Sequence, residues 1–160
     1  MAASRTAKYI IEDMRSPSPI SISRHLEAPT DVPDSDRGRG GRIRLLYMDD
    51  SIMKGSFYVE CVWILPSSHY PGVAEPNPHC HDFDEVVSFI GSNIDDPYDL
   101  GGEIEIWLDG EQHILRKTCL IFIPKGMMHC PLIIRRVDRP IYHSAVGTGP
   151  IYLQDSDKRV

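Results

Sequence analysis

Apolar residues along this chain come in short blocks separated by Pro, Gly and acidic breaks. The block Phe57-Tyr58-Val59-Glu60-Cys61-Val62-Trp63-Ile64-Leu65 is β-branched and aromatic and stops at Pro66, which predicts a strand. Its nearly continuous apolar character predicts burial on both faces, with Glu60 turned outward to solvent because a buried carboxylate needs a partner. Ile43 to Met48 predicts an earlier strand, halted by Asp49-Asp50. Glu85 to Ile90 predicts another, ending at Gly91-Ser92-Asn93. Glu103-Ile104-Glu105-Ile106-Trp107-Leu108 alternates cleanly, and Asp109-Gly110 is the residue pair of a tight hairpin that returns through Gln112 to Leu115. Thr118 to Ile123, Leu132 to Arg135 and Pro140 to Val146 complete the set. Trp63 and Phe122 are expected in the core.

Roughly eight to ten short strands at hairpin spacing, with no long amphipathic helix, predict an all-β sandwich or barrel. No internal repeat is visible. The connecting segments read as loops. Ser67 to Pro78 is Pro-rich, and Asn93 to Gly102 is acidic, with Asp95, Asp96 and Asp99 but without EF-hand spacing. Asp31 to Arg42 is polar and Gly-rich; its arginines are within reach of an anionic substrate, although a solvated loop is the expectation. Lys8 to Asp13 reads equally as an edge strand or a helical turn.

A chain of 160 residues suffices for one compact domain. We divide it into an N-terminal extension at 1–42 and a single domain at 43–160. The net charge of −6 argues against nucleic-acid and anionic-membrane partners, which need a basic surface. No secretory signal or span-length apolar run is present, and Cys61, Cys80, Cys119 and Cys130 form no CxxC pair. Reduced thiols and a cytoplasmic location are expected.

The stretch His79-Cys80-His81-Asp82-Phe83-Asp84-Glu85 carries the chemistry. On a strand, successive side chains alternate, so His79, His81 and Glu85 share a face. Two imidazoles and a carboxylate form a divalent-metal site with positions left open for substrate. His129, following Pro124-Lys125-Gly126, is a fourth candidate ligand. By the same parity Cys80 points away from the metal, as a small buried residue; Cys130 is similar, its direction less fixed because it leaves a turn. Phe83 is expected to wall the pocket, and Lys54, His69 and Tyr70 to lie near its mouth. His113 is expected to be exposed.

With these residues the chain resembles the cupin superfamily. The first cupin motif is matched by Gly72, His79, His81, Glu85 and Gly91, and the second by Pro124, Gly126 and His129. Thr118 stands where the second motif opens on Gly, and Ile133 where it closes on Asn. The likeness spans residues 57–146. It implies a cupin double-stranded β-helix, a jelly-roll barrel, with His79, His81, Glu85 and His129 binding one divalent metal. Fe(II) or Mn(II) is implied first, with Zn, Ni or Co as alternatives. It also places His143 where a second-sphere or substrate-contacting residue often lies.

The resemblance implies an enzyme acting on a small organic molecule, leaning to dioxygenase chemistry. Non-redox lyase, decarboxylase or isomerase chemistry and a non-catalytic ligand-binding role are the alternatives. A homodimer is implied, joined at an edge through segment 8–12 or strand 43–48.

Overall fold

A computed structural model describes residues 41–152, and these residues form nine strands and no helix. These are β1 (Arg42–Met48), β2 (Tyr58–Ile64), β3 (Gly72–Glu75), β4 (Glu85–Gly91), β5 (Asp99–Leu108), β6 (Glu111–Lys117), β7 (Cys119–Ile123), β8 (His129–Val137) and β9 (Ile141–Gly147). They form a five-stranded sheet in the order β1-β2-β9-β4-β7 and a four-stranded sheet in the order β3-β8-β5-β6. Every pairing is antiparallel. The two sheets enclose one core in a double-stranded antiparallel barrel of jelly-roll type.

The expected hairpin holds: Asp109 and Gly110 both have positive φ, 48° and 81°, as a two-residue turn between twisted strands requires. β3 lies inside the segment read as a loop, and β5 starts four residues earlier than its alternation suggested. The acidic turn before it is a surface loop, with Asn93, Asp96 and Asp99 side chains accepting from backbone N–H groups two residues on. The strand considered at 8–12, and most of the loop before Arg42, lie outside the described residues.

Register separates the two faces of the five-stranded sheet. One row across it is Arg44, Val62, His143, Phe89 and Cys119; the next inward row is Tyr47, Glu60, Ala145, Val87 and Ile121. A register shift between Arg44 and Leu46 lets both Arg44 and Tyr47 face inward. The outward rows are Ile43, Trp63, Tyr142 and Ile90, then Leu46, Cys61, Ser144, Ser88 and Leu120, then Met48, Val59, Val146, Val86 and Phe122. Trp63 is therefore outside, edge-on to Tyr142 with ring centroids 5.6 Å apart. Phe122 is outside as well, at 60% exposure. Both corrections follow from parity, which an unbroken apolar run conceals.

Inside, Val62, Ile64, Phe89, Leu100, Ile104, Ile134 and Ile141 fill one end of the barrel. A second cluster, Tyr47, Tyr58, Val87, Ile123, Ala145 and Tyr152, flanks the other. Between them runs a cavity of about 900 Å³, its open mouth included.

Candidate metal centre

Local backbone bonds bring the two motif segments together. His79 and His129 exchange N–H to carbonyl bonds at 3.0 and 2.9 Å. Gly126, with φ of 80°, donates its N–H to His81 O at 2.9 Å, and Lys125 N–H donates to Asp84 Oδ1 at 2.9 Å. The Pro124-to-Gly126 turn is thus stitched onto the first motif, which places His129 beside His79. The parity argument needs one correction. Residues 79 and 80 form only an isolated bridge, the chain bends at 82–83, and β4 starts at Glu85. Across the bend His81 and Glu85 come together with His129, whereas His79 groups with His129 and Cys130.

His79, His81, Glu85 and His129 are all buried, at 1–4% exposure. Glu85 Oε2 lies 3.6 Å from His81 Nε2 and 3.5 Å from His129 Nε2. Bonds of about 2.0–2.2 Å to a shared metal place neighbouring donors about 3 Å apart, so a modest contraction suffices. His79 and His129 each donate Nδ1–H to a carbonyl, Asn77 O at 2.9 Å and Met127 O at 3.1 Å. That fixes the tautomer with the Nε2 lone pair directed inward, as metal-ligating histidines require. The donor set fits a divalent cation.

The donors form two overlapping groups, each with all atoms within 4.8 Å: His81, Glu85 and His129, and His79, His129 and Cys130. His129 is common to both. Tyr152 donates its hydroxyl to His79 Nε2 at 3.3 Å. Cys130 thus faces the site, held by a backbone φ of 74° that is unusual for a side-chain-bearing residue. Burial pushes its thiol well up from the ordinary range. Cys80 is buried, in the role expected of it. No disulfide joins the four cysteines.

Burial, reinforced by the Glu60 charge, raises the Glu85 carboxyl from 4.5 to about 7. Phe83 backs the site instead of walling the cavity, stacked on His81 with centroids 4.8 Å apart and planes 6° from parallel. Its ring rests on Gly147 and Gly149, where an added Cβ would come within 2.4 and 2.3 Å of ring carbons. Only glycine leaves room for the ring that holds His81.

The cavity beside the donors is lined by apolar side chains such as Val62, Ile106 and Leu132, and by a polar set. Glu60 belongs to that set, contrary to the solvated position expected for it. Arg44 Nε donates to its Oε1 at 2.7 Å and Tyr58 Oη to its Oε2 at 2.8 Å. The partner demanded by a buried carboxylate was therefore on the neighbouring strand, where a single stretch of sequence does not reveal it. Burial keeps the Tyr58 phenol well above its usual range. His143 lines the cavity as expected, donating Nδ1–H to Ser88 O at 2.9 Å and stacking on Phe89. Burial lowers its pKa, which favours the neutral ring.

Arg42 lines the cavity and donates to Ala74 O at 3.3 Å. Lys54 does not reach it: its side chain is 90% exposed and its ammonium pairs with Asp50. Tyr70 is half-buried against the closed end of the core, beside Gly41. His69 is exposed and bonded to Ser67, and His113 is half-buried on β6. Arg42, Arg44, Tyr58 and Tyr152 carry no motif; the available signal was the alternation of β1, which places Arg42 and Arg44 on one face.

No protein-family model matches this chain, and no curated protein does. Solved structures do. It is similar to an oxalate oxidase in complex with the substrate analogue glycolate, at 15% identity, TM-score 0.47, covering 88% of this chain and 65% of that one. It is similar to the polyketide cyclase RemF from Streptomyces resistomycificus, at 14% identity, TM-score 0.46, covering 75% and 73%. An RmlC-like cupin from Shewanella frigidimarina matches at 17% identity, TM-score 0.41, covering 69% and 78%. The chain spans less than two thirds of the oxalate oxidase. The barrel and its histidine-carboxylate cluster are visible in this chain's own sheets and distances, independently of those matches.

Proposed function

We propose that this protein is a metal-dependent enzyme acting on a small organic acid by proton transfer, in the manner of a lyase or isomerase. The observation that carries the reading is the convergence of His81, Glu85 and His129 on one buried point at the wall of a cavity that also holds Arg42 and Glu60. A divalent metal at these donors would supply a Lewis acid for a substrate oxygen. Fe(II) and Mn(II) suit the oxygen-nitrogen set, and Zn becomes favourable if Cys130 takes part.

The chain's own residues supply the rest. Arg42 is placed to pair with a substrate carboxylate: it lines the cavity, and among the described residues its guanidinium bonds one acceptor, Ala74 O at 3.3 Å. Glu60 is the proton acceptor, oriented by Arg44 and Tyr58 through both carboxylate oxygens. Val62, Ile64, Val87 and Ile123 keep water from the reacting atoms. A second reading, dioxygenation, is favoured by the same apolar lining, which suits O2 as well as substrate. We place the protein in the cytoplasm, where its thiols would stay reduced.

The test is turnover of a panel of small carboxylic acids and their neutral amides by the metal-loaded protein, with and without O2. Turnover of acids but not amides, at equal rates without O2, is expected. Strict dependence on O2 would replace proton transfer with oxygenation, and preference for amides would remove Arg42 from the account.

A further inference from the structure

The donors around the cavity sort by chemistry as well as by place. His81, Glu85 and His129 offer nitrogen and oxygen, whereas His79, His129 and Cys130 offer nitrogen and sulfur. All three residues of the second group line the cavity, while His81, stacked on Phe83, does not. An ion arriving through the cavity therefore meets the sulfur-bearing group directly. Among the described residues, Cys130 is the one cysteine that falls into a donor group. Its φ of 74° is a conformation that side-chain-bearing residues rarely adopt, and it turns the thiol toward His79 and His129. His79 Nε2 already accepts a hydrogen bond from the Tyr152 hydroxyl, at 3.3 Å. That hydroxyl sits on the lone pair a cation would take, so it marks the ion's side of the ring.

We infer that His79, His129 and Cys130 form a second metal site, for a thiophilic cation such as Zn(II) or Cu(I), and that filling it disables the first. Thiolate and imidazole are the donors such ions prefer, and three protein ligands leave a further position for water or for the displaced Tyr152 phenol. On binding, the S–H bond of Cys130 breaks, a metal–sulfur bond forms and the proton leaves to water. The exclusion follows from His129. Its Nδ1–H is committed to Met127 O at 3.1 Å, which leaves one lone pair, on Nε2, for one ion at a time. Both groups need that nitrogen, so a thiophilic ion withdraws it from His81 and Glu85. Such an ion would arrest the reaction proposed above. That consequence for turnover rests on the proposed reaction; the site itself rests on the donors alone.

The test is Cd(II) titration of the metal-free full chain, read by the ultraviolet thiolate-to-metal charge-transfer band, with Cys130→Ser, Cys80→Ser and Glu85→Gln alongside. About one equivalent of Cd(II) should raise the band in wild type, Cys80→Ser and Glu85→Gln. Cys130→Ser should lack it while keeping the wild-type circular dichroism; Cys130→Gly, which suits a φ of 74°, is the second variant should the first fail to fold. Cd(II) added to Mn(II)-loaded protein should release Mn(II) in step with its own uptake, read from the electron paramagnetic resonance of the free ion. A wild type with no band, or a band that survives in the Cys130 variants, overturns the site. A band lost in Glu85→Gln overturns it as well, by merging the two groups into one. Mn(II) that stays bound beside Cd(II) overturns the exclusion. A chain that raises the band but takes up no Mn(II) supports the thiolate site, while it removes the metal of the proposed reaction and the exclusion with it.

Discussion

Replacing Glu85 by Gln separates what this carboxylate does for the metal from what it costs the fold. In the metal-free protein its carboxyl titrates at about 7, against 4.5 when unburied. The folded state therefore holds the proton longer than the unfolded state. Stability linked to the group is fully present below pH 4.5 and is lost as pH rises through about 7. At about 1.4 kcal/mol per pH unit, the ionised carboxylate costs about 3 kcal/mol at pH 8. Glu85→Gln removes that cost. Thermal unfolding of chelator-treated protein should show the wild type losing stability from pH 5 to pH 8 relative to the variant. At 2–4 °C per kcal/mol the gap in Tm grows by about 10 °C. Mn(II) should stabilise the wild type and do so much less in the variant, because the carboxylate donor is gone. A variant no more stable than wild type at pH 8 would refute the buried, desolvated carboxylate, and with it the electrostatic reason for a cation there.

Other outcomes follow from the same geometry. Glu60→Gln should cut turnover of a substrate acid by about 10²–10⁴-fold while leaving metal content intact, read from kcat and metal analysis on one preparation. Cys130→Ser should weaken Zn binding by about 10–100-fold but leave Mn binding nearly unchanged, as measured by competition with a chelating dye. Phe89→Ala, at a fully buried core position, should cost about 3–5 kcal/mol in urea unfolding. Gly149→Val should displace Phe83 from under His81, lowering metal affinity more than it lowers Tm.

The fold was legible where one strand explained itself. Asp109-Gly110 and the alternating Glu103 to Leu108 each act through local backbone chemistry; the turn is found where expected, and the strand contains the alternating stretch but begins at Asp99. The candidate donors stand out for a different reason: a metal demands particular atoms, and few sequences hold His79, His81, Glu85 and His129 by accident. What escaped depends on pairing. Glu60 reads as an error in an apolar strand until β1 brings Arg44 beside it. Trp63 and Phe122 read as core until register puts them outside. An unbroken strand was expected to bring His79, His81 and Glu85 to one point, yet the chain bends at 82–83, with Gly126 N–H on His81 O, and His79 joins His129 and Cys130 instead.

The central claim is a metal held by the histidine-carboxylate cluster, and elemental analysis of wild type beside His129→Ala tests it most directly. His129 belongs to both donor groups, so its loss should empty whichever one is used. Wild type should carry about one equivalent of a divalent transition metal per chain and the variant almost none, with both folded by circular dichroism. A wild type without metal after reconstitution, or a variant that keeps a full equivalent, would contradict it.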